Sequence, residues 1–435
     1  MIGRNRNHSA SYIVAFFLFF FSLPFSEASE QVIINGTDND LNSGTAEFGS
    51  VMGMPSTAWG TNERQRASLV PTAGRFYNLR VKLTGAPDNG GGTETYTFTL
   101  RKTLASTALT CTISETATTC EDVTNKVTYA AGDVVGFRVE PASTPTVVDA
   151  RWSVMFQPTT RGQSILMGNT SSTSLATNGT TEYLCLHGTI APTTTEFDVE
   201  TVSPLAGTVK NLYVGVNTAP GGSSSYAFTV RKNSANQSVT CTISGAGTTC
   251  NDTTNSFTVA VGDPIALSSV SSGTIATATI ARFAVVVQTN TEGEFILALS
   301  STDALNNAAT EYGYGSAGGF TWSATEADRE SLGQGMTLQR LQVELDQDPG
   351  GAGNRYRFTV RQNAGNTTLQ CDVNGGTIGG DTCVDTGTTD TVSAFDVLGL
   401  EVSIVGTPTN TPDAHISVKG FITPKPLAGA VMNVD

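Results

Sequence analysis

The sequence predicts an all-β protein, built as three tandem β-sandwich domains of jelly-roll-like form behind an export signal. Three observations carry this. The segment Tyr226–Asp263 (YAFTVRKNSANQSVTCTISGAGTTCNDTTNSFTVAVGD) recurs as Tyr96–Asp133 and, altered, as Tyr356–Asp396, with the leading tyrosines 130 residues apart. Within each copy apolar residues alternate with polar ones, the period of a half-buried strand. Turn residues punctuate the chain about every 8–12 residues, and no amphipathic helix pattern interrupts them.

Residues 1–28 read as a signal peptide. Arg4 and Arg6 precede an apolar run from Tyr12 to Phe21, and Ser26-Glu27-Ala28 is a small-x-small cleavage pattern. The run is shorter than the ~20 residues of a membrane span, so no membrane insertion is expected after cleavage. The repeats then occupy 29–160, 161–291 and 292–425, with 426–435 as a C-terminal tail. The remainder keeps 22 basic and 37 acidic side chains. That balance excludes a nucleic-acid partner, whose phosphates need Lys and Arg to neutralise them.

Residues 29–45 are polar and read as a loop-like leader. Asp38-Asn39-Asp40 has calcium-type oxygen spacing but lacks the glycine and glutamate of an EF-hand, so it reads as a turn. Each repeat then opens on an acidic-aromatic pair: Glu47-Phe48, Glu182-Tyr183 and Glu311-Tyr312. A loop follows, which in two repeats carries Trp-x-x-x-Glu-x-x-Arg: Trp59, Glu63 and Arg66, then Trp322, Glu326 and Arg329; the middle repeat keeps only Glu196. An alternating strand comes next (Leu79, Val81, Leu83 in the first repeat), then a Pro/Gly turn. The tyrosine strand points Tyr96, Phe98 and Leu100 inward and Arg101 outward, as Arg231 and Arg361 do in their copies; the arginines read as strand-face charges. Cysteine strand, Gly-Asp turn and a closing strand complete the repeat. The short links between repeats predict beads in a fixed, elongated row.

Six of seven cysteines form like-placed pairs: Cys111/Cys120, Cys241/Cys250 and Cys371/Cys383. In an exported chain these predict one local disulfide per repeat, each contributing about 2–3 kcal/mol through loop entropy. Cys185 is left over, either as a buried small hydrophobe or as a thiol for an intermolecular bridge.

The chemistry of an enzyme is thinly represented. His187 and His415 fall in different repeats with no metal-ligand spacing, and no nucleophile elbow, phosphate loop or dinucleotide fingerprint is present. The carboxylate pairs Glu47/Glu63, Glu182/Glu196 and Glu311/Glu326 recur in every copy. An active site is usually built once, so they read as loop caps or partners for Arg66 and Arg329. No catalytic, cofactor or metal residues are therefore assigned. Trp59, Glu63, Arg66, Trp322, Glu326 and Arg329 are candidate ligand-binding residues, because exposed tryptophans can stack on sugar rings.

The string Y-x-F-T-[LV]-R-K-N…T-C-T-I-S-G…T-T-C…A-A-G-D resembles a repeated module of uncharacterised exported bacterial proteins and phage structural proteins. By architecture alone the expected jelly rolls resemble trimeric modules of the complement and tumour-necrosis-factor type, without a shared motif. The reading is an exported, non-enzymatic structural or adhesive protein of the cell surface or extracellular matrix. Its partner would be itself, as a homo-oligomer, or surface glycans; a carbohydrate-binding array is the alternative, and a glycoside hydrolase or lyase the weaker third.

Overall fold

A computed structural model describes residues 30–54, 59–376 and 381–424. The expected signal peptide, the C-terminal tail and part of the longer third cysteine loop lie outside them. Among the described residues there is no α-helix, only strands and three short 3-10 turns.

The first repeat contains β1 (Gln31–Gly36), β2 (Glu47–Gly49), β3 (Ser68–Leu69), β4 (Gly74–Leu83), β5 (Thr95–Lys102), β6 (Ala105–Ser114), β7 (Thr119–Tyr129), β8 (Val134–Ala142) and β9 (Ala150–Pro158). One sheet runs β1-β9-β4-β7 and the other β2-β8-β5-β6, with the short β3 beside β8. Counting the eight main strands, these orders are 1-8-3-6 and 2-7-4-5, the pattern of a jelly roll. The second repeat reproduces it with β10 (Gln163–Asn169), β11 (Thr181–Leu184), β12 (Thr201–Val202), β13 (Gly207–Val216), β14 (Ser225–Lys232), β15 (Ala235–Ser244), β16 (Thr249–Val259), β17 (Pro264–Ser272) and β18 (Ala281–Thr289). The third does so with β19 (Glu294–Ser301), β20 (Glu311–Tyr314), β21 (Ala317–Phe320), β22 (Ser331–Leu332), β23 (Met336–Leu345), β24 (Arg355–Gln362), β25 (Gly365–Asn374), β26 (Thr382–Val392), β27 (Val397–Val405) and β28 (Ala414–Phe421); β21 adds a parallel edge to β19.

Alternation places the inward set as expected. Tyr96, Phe98 and Leu100 are buried, as are Tyr226, Phe228, Val230 and Tyr356, Phe358, Val360. All three expected disulfides form. Cys111–Cys120 joins β6 to β7, Cys241–Cys250 joins β15 to β16, and Cys371–Cys383 joins β25 to β26. Each links the last strands of two facing sheets, so the staple closes the sandwich at its open edge. The two ends of each staple differ in depth. Cys111, Cys241 and Cys371 belong to the buried cores, whereas Cys120, Cys250 and Cys383 are partly buried and pack against them from the rim. Two residues after Cys120, Cys250 and Cys383, an aspartate organises a bulge. Burial alone would raise the Asp252 carboxyl, but hydrogen bonds from Asn255, Thr240 and Thr254 outweigh it and hold it at about 2. Asp122 and Asp385 repeat the arrangement.

The leader expected over residues 29–45 is a strand where it matters: β1 is buried along its whole length. Its two faces serve different cores. Ile33 joins the first repeat's core, while Val32 and Ile34 join the third's. In the second repeat Leu166 faces inward and Ile165 and Met167 enter the first repeat's core. In the third, Leu297 faces inward and Ile296 and Ala298 enter the second's. A short apolar run without alternation is the mark of such a doubly buried strand.

The short strands complete the circuit. β3 lies on β10, β13 and β18; β12 lies on β19, β23 and β28; β22 lies on β1, β4 and β9. The repeats therefore close on one another with threefold pseudosymmetry, and the elongated row expected from the short links does not occur. All the described residues belong to one compact unit. At the centre each repeat supplies a glycine. A side chain at Gly188 would sit 2.6 Å from the Gly318 Cα, and one at Gly53 would meet the His187 carbonyl at 1.9 Å.

Two outcomes follow from this packing. Gly188→Ala overpacks the backbone junction and should lower stability by about 1–3 kcal/mol, read by chemical denaturation. Replacing Cys241 and Cys250 by serine should lower it by about 2–3 kcal/mol without changing the far-UV signature of the sheets.

Candidate functional site

The residues singled out in the Trp-x-x-x-Glu-x-x-Arg loops come to three different places. Trp59 and Trp322 are each only 7% exposed. Trp59 packs 5.4 Å from the Trp152 ring and tilts against Phe137, and Trp322 stands edge-on to Phe320 at 4.9 Å. Their faces are occupied by the protein's own aromatic rings, so they plug the sandwich ends rather than offering a stacking platform.

Glu63 and Glu326 turn to the strand arginines, not to the loop arginines expected as their partners. Arg101 Nε and Nη2 each donate to the Glu63 carboxylate at 3.0 Å. Arg231 grips Glu196 at 2.5 and 2.8 Å, and Arg361 grips Glu326 at 2.8 and 2.9 Å. The 3-10 turn carrying each glutamate sets it against the end of the tyrosine strand, where the outward arginine emerges. The opening aromatic completes the cluster: Arg101 lies 5.7 Å from the Phe48 ring centre and Arg231 5.3 Å from that of Tyr183, a cation–π geometry. Glu47, Glu182 and Glu311 cap loops, accepting from the backbone N–H of Asn42, Ala176 and Asn306 at 2.8, 2.6 and 2.6 Å. The carboxylates of each expected pair thus have separate structural partners.

Arg66 and Arg329 lie at the seams between repeats. Arg66 Nη1 donates to Ser171 Oγ at 2.9 Å in the second repeat, and Arg329 pairs with Asp38 of the first while its Nε donates to Thr321 O at 2.7 Å. Asp38 is therefore one end of an inter-repeat ion pair, with the Tyr314 hydroxyl donating to its other oxygen at 3.3 Å. Cys185 is buried and unpaired by disulfide, and burial pushes its thiol up to about 11. It sits 3.4 Å from His187 Nδ1, which also contacts Thr201 Oγ1 at 2.6 Å. Burial, then the nearby His415, hold His187 down at about 3. A neutral histidine beside a neutral thiol is a packing arrangement, not an activated nucleophile.

The seams are not legible in the sequence because they rest on three positions far apart in the chain. Arg151, Arg282 and His415 are the second residues of the closing strands, and Lys82, Gly215 and Glu344 pair beside them across the sheet. Facing them from the neighbouring repeat is the residue before the short strand: Glu330, Ala67 and Glu200 respectively. In the third-to-first seam Glu330 bonds Arg151 at 2.8 Å, with Lys82 adding a favourable charge. In the first-to-second seam Ala67 offers no charge and Arg282 reaches only the Arg64 carbonyl at 3.5 Å. In the second-to-third seam His415 meets the Phe197 ring edge-on at 4.3 Å, and the charge of Glu344 reaches Glu200. Among the described residues no group of three or more His, Cys, Asp or Glu is placed to hold a metal.

No family model and no curated protein matches the chain. Among solved structures it aligns with the VP2 subviral particle of infectious bursal disease virus at 8% identity and a TM-score of 0.18, over 92% of this chain and 81% of that one. A likeness that low carries no argument.

Removing the strand arginine leaves a nearly buried glutamate without its counter-charge. Arg231→Ala should therefore cost about 3 kcal/mol or more, whereas Arg231→Lys should recover part of it without the bidentate geometry; denaturant midpoints of the two variants check this.

Proposed function

We propose that this chain is an exported, non-enzymatic structural or adhesive protein of the cell surface or extracellular matrix. Its three repeats act as β-sandwich domains that assemble within one chain into a threefold-pseudosymmetric block. The observation that carries the reading is the use made of the chemically capable side chains. Glu63, Glu196 and Glu326 are held by bidentate arginines, the loop tryptophans by aromatic neighbours, and Arg66 and Arg329 by adjacent repeats. Rigidity and cohesion are what such an arrangement supplies.

Three disulfides fit folding in an oxidising compartment, which agrees with export. The threefold surfaces that a homotrimer of single jelly rolls would use are already satisfied inside the chain, so further self-association would employ the outer faces.

Expression of the full chain in an exporting bacterial host tests the reading. The expected result is processing near residue 28 and retention on cells or in matrix, with no sugar released from a polysaccharide panel. A processed protein that stays freely soluble and unattached overturns the structural role. Polysaccharide cleavage that is lost in Glu63→Gln or Glu326→Gln would establish the enzymatic alternative instead.

A further inference from the structure

The three seams are built from corresponding residues, so their differences isolate what each one does. At the central position one of them has Glu330 against Arg151 and Lys82, and the other has Ala67 with Arg282 and Gly215, where Arg64 repels Arg282. At this position the second-to-third seam instead brings two carboxyls, Glu200 and Glu344, within electrostatic reach of each other. Glu200 comes from the 3-10 turn before β12 and is 5% exposed. Glu344 comes from β23, and its Oε2 is buried with no hydrogen-bond partner.

We infer that the second-to-third seam is a proton-held latch, in which Glu200 and Glu344 keep the joint closed while at least one of them is protonated, and loosen it when both ionise.

The surroundings compensate the pair only in part. From the second repeat, Glu196 repels Glu200, and the cation Arg231, which grips Glu196, offsets part of that repulsion. Asp198 on the same turn accepts from Thr193 Oγ1 at 2.8 Å and adds negative charge nearby. From the third repeat, Asp381 repels Glu344, and Asp303, Asp346 and Asp413 form a further acidic group with Asp198. Arg340 reaches across from β23 but donates to the Pro204 carbonyl at 3.5 Å. Both histidines of the seam, His187 and His415, are buried and held neutral, at about 3 and about 4. Burial first, and then these neighbouring carboxylates, lift Glu200 and Glu344 to about 7.

The direction of the pH effect follows. A carboxyl raised from 4.5 to about 7 favours the closed seam below pH 4.5 and loses that advantage as pH rises through 7. The depressed histidines act oppositely, favouring closure above about pH 6.5 and opposing it as pH falls toward 4. Wild-type stability therefore mixes two opposed trends. The ratio of a glutamate variant to wild type cancels the histidine part and reads the latch alone.

Hydrogen exchange at residues 196–203 and 414–418, measured on the mature chain at pH 5 and pH 8 and corrected for intrinsic rates, tests the inference. Glu344→Gln and Glu200→Gln should slow exchange there by about tenfold or more at pH 8 and leave it nearly unchanged at pH 5. The corresponding segments of the other two seams should not respond. Glu344→Lys, which introduces the charge that Lys82 supplies in the first repeat, should hold the seam closed at both pH values. Equal effects of the Gln variants at the two pH values, or no slowing at pH 8 in either Gln variant or in the Lys variant, overturns the latch.

Discussion

The first strand of each repeat is buried on both faces, and the rest of the architecture depends on that constraint. Val32 and Ile34 cannot be covered by the repeat that carries them, because its own core takes Ile33 on the opposite face. Ile165 with Met167, and Ile296 with Ala298, impose the same need. Each repeat must therefore supply part of its neighbour's core, and three such contributions close a circuit. Closure also covers the sheet edges at which β1 and β10 lie, sites that otherwise invite pairing with other chains. Gln31 shows how tightly this is done. Its side chain donates to the Ile165 carbonyl at 3.1 Å and accepts from the Ile165 N–H at 2.8 Å, so an amide stands in for a missing strand.

The outer sheets follow a different logic. There each repeat is self-sufficient: an inward Tyr-Phe-Val or Tyr-Phe-Leu strand, a disulfide to the facing sheet at the open edge and an arginine gripping a loop glutamate. These features recur with little change because they solve a problem internal to one sandwich. The seams vary because each faces a different neighbour. Arg–Glu, Arg–Ala and His–Glu at one set of corresponding positions make the three joints chemically distinct.

Much of the individual sandwich is readable from local pattern. Alternation identifies the tyrosine strands and their inward faces, and cysteine spacing identifies the three staples, Cys111–Cys120, Cys241–Cys250 and Cys371–Cys383. The arginine clusters are half readable: Arg101, Arg231 and Arg361 stand out as a repeated outward charge, and Glu63, Glu196 and Glu326 as a repeated loop acid. Nothing local joins them, because the partners lie 38 residues apart in the first repeat and 35 in the others. Trp59 looks like a surface feature for a related reason. Its covering rings, Phe137 and Trp152, sit on strands far along the chain.

The sequence by itself determined the strand set, the repeat and the disulfides, since period-two alternation, turn residues and short cysteine loops are local signals. Only the tertiary structure decided that the repeats close on one another instead of forming a row. It also decided that residues 31–36 are core rather than leader, and that His187, His415, Glu200 and Glu344 meet at one joint. Those outcomes depend on contacts between repeats, where burial and charge are set by residues more than a hundred positions away.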